Sequence, residues 1–142
     1  MRFWRPATGG MSIAAIAVLL QACGPQGPAT SGTRIFASDM AGAAKVCTVP
    51  KVTPAADKQT PVAMQMGNDR GWCAITVNNG GRPYSAGLLT TAPAHGKVLI
   101  HTVGDDTRID YTPDAQYKGA DSFVVRLIPG DATISASVTV AP

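Results

Sequence analysis

DSFVVRLIPGDATISASVTV, residues 121–140, alternates apolar and polar side chains on either side of a Pro129-Gly130-Asp131 turn. On the near side Phe123, Val125 and Leu127 form one row while Ser122, Val124 and Arg126 point the other way. On the far side Ile134, Ala136, Val138 and Val140 interleave with Thr133, Ser135, Ser137 and Thr139. A period of two places every second side chain on one face of an extended chain, so each half reads as a half-buried strand. The turn joins them into a hairpin.

The same parity extends backward through the chain. Val98 and Ile100 match Ile109 and Tyr111 across a turn around Gly104, Asp105 and Asp106, a register that sets His101 opposite Asp110 on the outer face. Cys73, Ile75 and Val77 share a face ahead of the turn Asn78-Asn79-Gly80-Gly81, and Val62, Met64 and Met66 form the row before it. The pattern predicts seven to eight strands, at 46–52, 61–66, 72–78, 84–91, 97–103, 107–112, 121–128 and 132–140. Turns at that spacing predict an all-β sandwich of the immunoglobulin type, with a small barrel as the alternative. The body from residue 45 to 142 is just under one hundred residues, enough for one core between two sheets.

Composition points the same way. All nine acidic residues are Asp, and helix formers of the Glu, Lys and Gln kind are scarce, which argues against a helical bundle. The formal charge of +3 includes Arg2 and Arg5, so the rest of the chain has little material for a basic stripe and no nucleic-acid partner is expected.

Arg2 and Arg5 precede the apolar run Met11–Leu20, MSIAAIAVLL, and a small-residue boundary at Ala22. Ten residues of helix reach about 15 Å, half of a hydrocarbon core of roughly 30 Å. The segment reads as an export signal and not as a membrane span. The boundary Leu20-Gln21-Ala22-Cys23 resembles the lipobox of bacterial lipoproteins, although Gln21 stands where that family more often has a small residue. The resemblance implies cleavage before Cys23, a diacylglyceryl group on its sulfur and acylation of the new terminus, the several chains that stable anchoring needs. Gly24, in place of the Asp that commonly signals inner-membrane retention in that family, implies the outer membrane, with the domain on its periplasmic side.

With Cys23 given to lipid, Cys47 and Cys73 remain. Outside the cytoplasm they are expected to form a disulfide, closing a loop of about 26 residues and contributing roughly 3 kcal/mol. A metal or redox pair is the alternative, but neither a C-x-x-C nor a nearby His accompanies them. The expected organisation is a signal peptide at 1–22, a lipidated Cys23 with a Gly, Pro and Ser-rich tether to 44, and a β-sandwich at 45–142. Ile35 and Phe36 interrupt the tether's polarity, and packing against the domain is the expected role of Phe36. The bridge, short and early in the chain, is expected to clamp the first strand to a near neighbour.

Residues 87–140 carry a second resemblance. Gly96 and Val98, then Tyr111, Pro113, Tyr117, Gly119, Asp121 and Phe123 resemble the G-x-V, Y-x-P, aromatic, G-x-D-x-F pattern of cadherin-like, bacterial Ig-like modules. The resemblance implies a Greek-key β-sandwich. Each matched residue also has a scaffold role: positive φ at Gly119, a strand end at Pro113, inward bulk at Tyr111 and Phe123, and N–H acceptance at Asp121. Those modules come in tandem, whereas this one stands alone. Residues 45–86 match no pattern.

The residues bear on four classes of function. Asp105, Asp106, Asp110, Asp114 and Asp121 suggest calcium, but their order is wrong for an EF-hand, and solvated turn aspartates are the simpler reading. Met64 and Met66 share a strand face and suit Cu(I), yet two inward methionines are ordinarily core, and His95 and His101 are too far along the chain to imply proximity. Neither G-x-S-x-G nor S-x-x-K is present, so no catalytic residue is assigned and no enzyme or cofactor is expected. Binding of an envelope protein or polymer is the leading expectation, with a periplasmic calcium- or copper-binding lipoprotein as the alternative. If Cys73 points inward, Trp72 faces outward beside Arg70 as an exposed anchor, unless the tether or a loop covers it. Tyr84 with Arg82 is a second candidate pair.

Overall fold

A computed structural model describes residues 36–142. The expected signal peptide, Cys23 and the tether up to residue 35 lie outside them. A single 3-10 turn at Ala37–Met40 precedes eight strands: β1 (Cys47–Thr48), β2 (Gln59–Gly67), β3 (Cys73–Val77), β4 (Ala86–Thr91), β5 (Gly96–Val103), β6 (Asp106–Pro113), β7 (Gly119–Ile128) and β8 (Ala132–Ala141). Among the described residues no helix is long and apolar enough to cross a membrane.

The strands form two sheets, β1-β2-β8-β7-β4 and β3-β6-β5. With β2 to β8 read as A to G, the sets β3-β6-β5 and β8-β7-β4 are the B-E-D and G-F-C groups of an immunoglobulin sandwich. The A strand departs from the constant-domain arrangement. β2 lies parallel to β8, from Gln59 opposite Thr133 to Gly67 opposite Ala141, instead of joining the β3 sheet.

The parity seen in the sequence fills the space between the sheets. Met64 and Met66 from β2, Ile75 from β3, Ile109 and Tyr111 from β6, Phe123, Val125 and Leu127 from β7, and Ile134 and Val138 from β8 are fully buried. Withdrawal of each such aliphatic or aromatic side chain from water contributes about 1.5–3 kcal/mol. Tyr111 and Phe123 stack between the sheets with ring centroids 5.8 Å apart. The β7–β8 hairpin closes as expected, with Leu127 opposite Ala132. Val98 and Ile100 face Tyr111 and Ile109.

Several expectations change. The first strand shrinks from 46–52 to two residues, because Pro50 breaks the run of N–H donors that a ladder needs. Cys47 and Cys73 do form the disulfide, with an S–S distance of 2.03 Å. It does more than clamp neighbours within one sheet, since β1 belongs to the five-stranded sheet and β3 to the three-stranded one. The bond staples the two layers at one edge. Tyr84 is not a surface residue but 7% exposed, packed in the core, with its N–H donated to Thr107 Oγ1 at 2.8 Å. Burial pushes its phenol pKa up. Phe36, expected to pack, is 65% exposed.

Candidate functional site

Trp72 immediately precedes β3, and alternation turns it away from its buried neighbour Cys73, as the sequence implies. It is half-buried nevertheless. The segment Gly42–Ala44 pairs with it in parallel: Trp72 donates its backbone N–H to Gly42 O at 3.0 Å, and Ala44 donates to Trp72 O at 2.8 Å. The indole Nε1 donates to Ala41 O at 3.0 Å. Chain that reads as tether is thus strapped across the outer face of the β3 sheet, fastened further by Lys45 N–H donating to Asp69 Oδ2 at 2.9 Å. The N–H groups of Lys45 and Gly71 hold the Asp69 carboxyl below the usual range. Arg70 is not the partner of Trp72. It is exposed, with φ of 71°, and turns the chain into β3.

The cation on Trp72 is Arg108, whose Cζ lies 4.0 Å from the ring centroid. Arg108 sits in the middle of β6 with its side chain on the outer face, where parity alone would leave it in solvent; the strap and its neighbours leave it 8% exposed. Its guanidinium is paired with Asp110 and the strap, with Nε and the facing Asp110 Oδ1 within ion-pair range but without a hydrogen bond. Nε lies 2.8 Å from Asp110 Oδ1, Nη2 donates to Asp110 Oδ2 at 2.9 Å, and Nη1 donates to Asp39 O of the strap. His101 Nε2 lies 3.0 Å from the same Asp110 Oδ2. The backbone register differs from the expected one, since His101 pairs with Arg108 and Leu99 with Asp110; the His101 contact is diagonal. The hairpin turn is two residues, Gly104 and Asp105, which shifts the register by that step.

Two clefts adjoin this cluster. One, of about 410 Å³, lies between the strap and the sheet, with Met40, Ala43, Trp72 and Arg108 among its walls. The second, about 540 Å³, runs between β3 and the segment Val49–Thr53. Ala74, Thr76 and Asp106 line both, so together they make one groove along β3. The end at Trp72 is apolar, and the end at Lys51, Asn78 and Asp106 is polar. Asp106 is 6% exposed; Asn78 Nδ2 donates to its Oδ1 at 2.8 Å, while Oδ2 has no hydrogen-bond partner among the described residues. The chain from 36 to 53 supplies one wall, in line with the expectation that the tether could cover Trp72, though through Gly42–Ala44 and not through Phe36.

The residues of the second resemblance gather at the other end of β6. Asp121 Oδ1 accepts the N–H groups of Ala94 at 2.9 Å and Ser122 at 2.8 Å; Oδ2 accepts that of His95 at 2.9 Å and the Tyr111 hydroxyl at 2.8 Å. Burial works to raise the Asp121 pKa, but these four donors outweigh it and hold the carboxyl below its usual value. Burial and the facing carboxylate push the Tyr111 phenol far up. Tyr117 stacks on His95 with centroids 4.1 Å apart and donates its hydroxyl to Ala120 O at 2.6 Å. Asn68, missed in the sequence, donates to Asp114 O and Tyr117 O at 2.8 and 2.9 Å and ties the β2–β3 turn to this clasp.

Gly96 is required there by close approach, since a Cβ would stand 2.6 Å from the Tyr111 ring. Gly119 has φ of 130° as the chain turns into β7, Pro113 closes β6, and Val98 packs against the core. This end is scaffold. Asp121 fastens β7 of one sheet to β6 and the β4–β5 turn of the other.

Residues 44–141 match the bacterial Ig domain family. The chain belongs to that family. The match covers every strand of the sandwich. No curated protein matches the chain. This bacterial Ig domain gathers no group of three or more His, Cys, Asp or Glu placed to hold a metal ion among its described residues. Asp105, Asp106, Asp110 and Asp114 are distributed along β6 and its flanking turns and Asp121 lies on β7, Asp106 with Asn78, Asp110 with Arg108 and His101, and Asp121 with backbone donors. Met64 and Met66 are enclosed in the core of the Ig domain, away from His95 and His101 at its surface. Arg82 lies exposed in the β3–β4 loop, where its carbonyl accepts Asn79 N–H at 2.8 Å, apart from the buried Tyr84 ring.

Proposed function

We propose that this protein is a lipoprotein anchored through Cys23 to the outer membrane, holding its bacterial Ig domain in the periplasm to bind an envelope protein or polymer without catalysis. The observation that carries the binding part is the groove along β3: a concave surface with an apolar end at Trp72 and a nearly enclosed carboxylate at Asp106. Concavity with a few converging polar groups is the usual form of a recognition site. Its indole and guanidinium are spent on holding the strap, so recognition falls to the groove floor and not to a projecting Trp72 anchor. The anchoring part is supported by the lipobox-like Leu20–Cys23 and by the disulfide, a bond that belongs outside the reducing cytosol.

Two measurements test the parts separately. Mass spectrometry of protein from native membranes is expected to show a chain starting at an acylated Cys23; an intact Met1 overturns the anchoring. A photocrosslinker at Thr76 is expected to capture a partner in cells that the same group at Thr139, on the outer face of β8, does not. Equal labelling from both positions overturns the groove as the binding site.

A further inference from the structure

β3 is an edge strand. It pairs with β6 on one side only, through Cys73 opposite Tyr111, Ile75 opposite Ile109 and Val77 opposite Thr107. Trp72 directs both its backbone N–H and its C=O away from β6, to Ala44 and Gly42. Backbone groups in a strand alternate between its two sides, so Ala74 and Thr76 direct theirs the same way as Trp72. The strap has left by then, since Lys45 turns to Asp69 and Cys47–Thr48 pairs with β2. Among the described residues the backbone N–H and C=O groups of Ala74 and Thr76 consequently have no hydrogen-bond partner. They open into the second cleft, whose volume of about 540 Å³ is within the range of sites that enclose a ligand.

A row of alternating donors and acceptors beside a groove selects one kind of occupant, an extended polypeptide. The edge has already accepted one, because Gly42–Ala44 is bridged to Trp72 and the open row continues that pairing. Charge chooses the side chain. Asp110 cancels Arg108, which leaves Asp106 with an unengaged oxygen at the junction of the two clefts; Lys51 on the far wall is exposed and free to swing into solvent.

We propose that the free edge of β3 at Ala74 and Thr76 takes an extended peptide as an added strand, with a basic side chain of that peptide against Asp106. This rests on the reading that the groove is the binding surface and names what it binds. About 3.3 Å per residue from Ala74 to Asn78 leaves room for a strand of about five residues. The exposed Leu88 and Leu89 on β4 and Leu99 on β5 also lie on edge strands, but neither cleft runs along them.

The probes are capped synthetic heptapeptides of alternating Thr and Val with one central Lys, the same peptide with Glu for Lys, and the Lys peptide N-methylated at alternate residues. With the purified full chain, the Lys peptide at millimolar concentration is expected to slow amide hydrogen exchange at Ala74 and Thr76. The Glu peptide and the Asp106→Asn variant are each expected to bind about tenfold more weakly, and the N-methylated peptide not at all. Thr76→Pro removes one outward N–H while leaving the β6 ladder its bonds, and is expected to abolish protection. If that variant unfolds, the N-methylated peptide still decides. Equal binding of the N-methylated peptide, or no protection at Ala74 and Thr76 by the Lys peptide, overturns strand addition. Should Thr76 crosslink a partner in cells while the Lys peptide gives no protection, the groove keeps its role and only the strand is lost.

Discussion

The two ends of β6 each carry an aspartate, and they are used in opposite ways. At one end Asp121 of β7 reaches the Tyr111 hydroxyl and three backbone N–H groups, so both of its oxygens are occupied. At the other, Asp106 is more deeply enclosed, yet only one of its oxygens is held, by Asn78. A saturated polar group joins elements together; one with an oxygen left free at a groove wall can accept a donor from a ligand. Between them, Arg108 and Asp110 also join elements, as a buried ion pair whose Nε and Oδ1 stand 2.8 Å apart without a hydrogen bond, although they lie on the face that sequence parity turns toward water.

The contrast can be broken at its centre first. Arg108→Ala leaves Asp110 enclosed without its main counter-charge and frees the strap, and is expected to destabilise the fold by about 3–5 kcal/mol in urea unfolding. Replacing both Arg108 and Asp110 by leucine is expected to cost markedly less than that single change, because no charge is then stranded. Next in size, Asp121→Ala removes the acceptor of four donors and is expected to cost about 2–3 kcal/mol. Its pH signature follows from a folded pKa held below the unfolded value of about 3.9. The stabilisation is complete above about pH 5 and is lost as pH falls through the folded pKa, so the variant is expected to show a shallower loss of melting temperature below about pH 4. Asp69 adds to the remaining slope with the same sign, since its carboxyl is likewise held down.

Tyr111→Phe keeps the ring between the sheets and removes only the hydroxyl that bonds Asp121 at 2.8 Å, with an expected loss of about 1 kcal/mol. Smallest of all, Asp106→Asn is expected to change stability by less than about 0.5 kcal/mol while weakening peptide capture. A large loss of stability there would place Asp106 in the scaffold after all and erase the difference between the ends.

Much of this architecture was legible in the residues. Alternation located the six strands with clear parity rows to within a few positions, the Pro129-Gly130-Asp131 turn fixed the last hairpin, and Gly96 through Phe123 marked the clasp. The groove was not legible, for reasons that differ by residue. Alternation gives the direction of Trp72 but not what lies over it, and the strap 37–44 has no periodicity to declare that it packs. Arg108 and Asp110 occupy outward positions and read as solvated charges until the strap covers them. Tyr84 falls between a turn and a strand, where no parity assigns it a side. Asp106 and the open backbone of Ala74 and Thr76 depend on where a neighbouring segment departs, which is a property of the folded chain.

The staple between Cys47 and Cys73 has a mechanical consequence. A pull on the N-terminal side of Met40 would strip the Asp39, Ala41, Gly42 and Ala44 hydrogen bonds one after another, each a weak non-covalent link. The peeling halts at Cys47, where tension passes through sulfur into β3 at Cys73. A domain hung from a membrane by this end would give up its strap under load and expose more of the β3 edge, yet keep its sandwich closed.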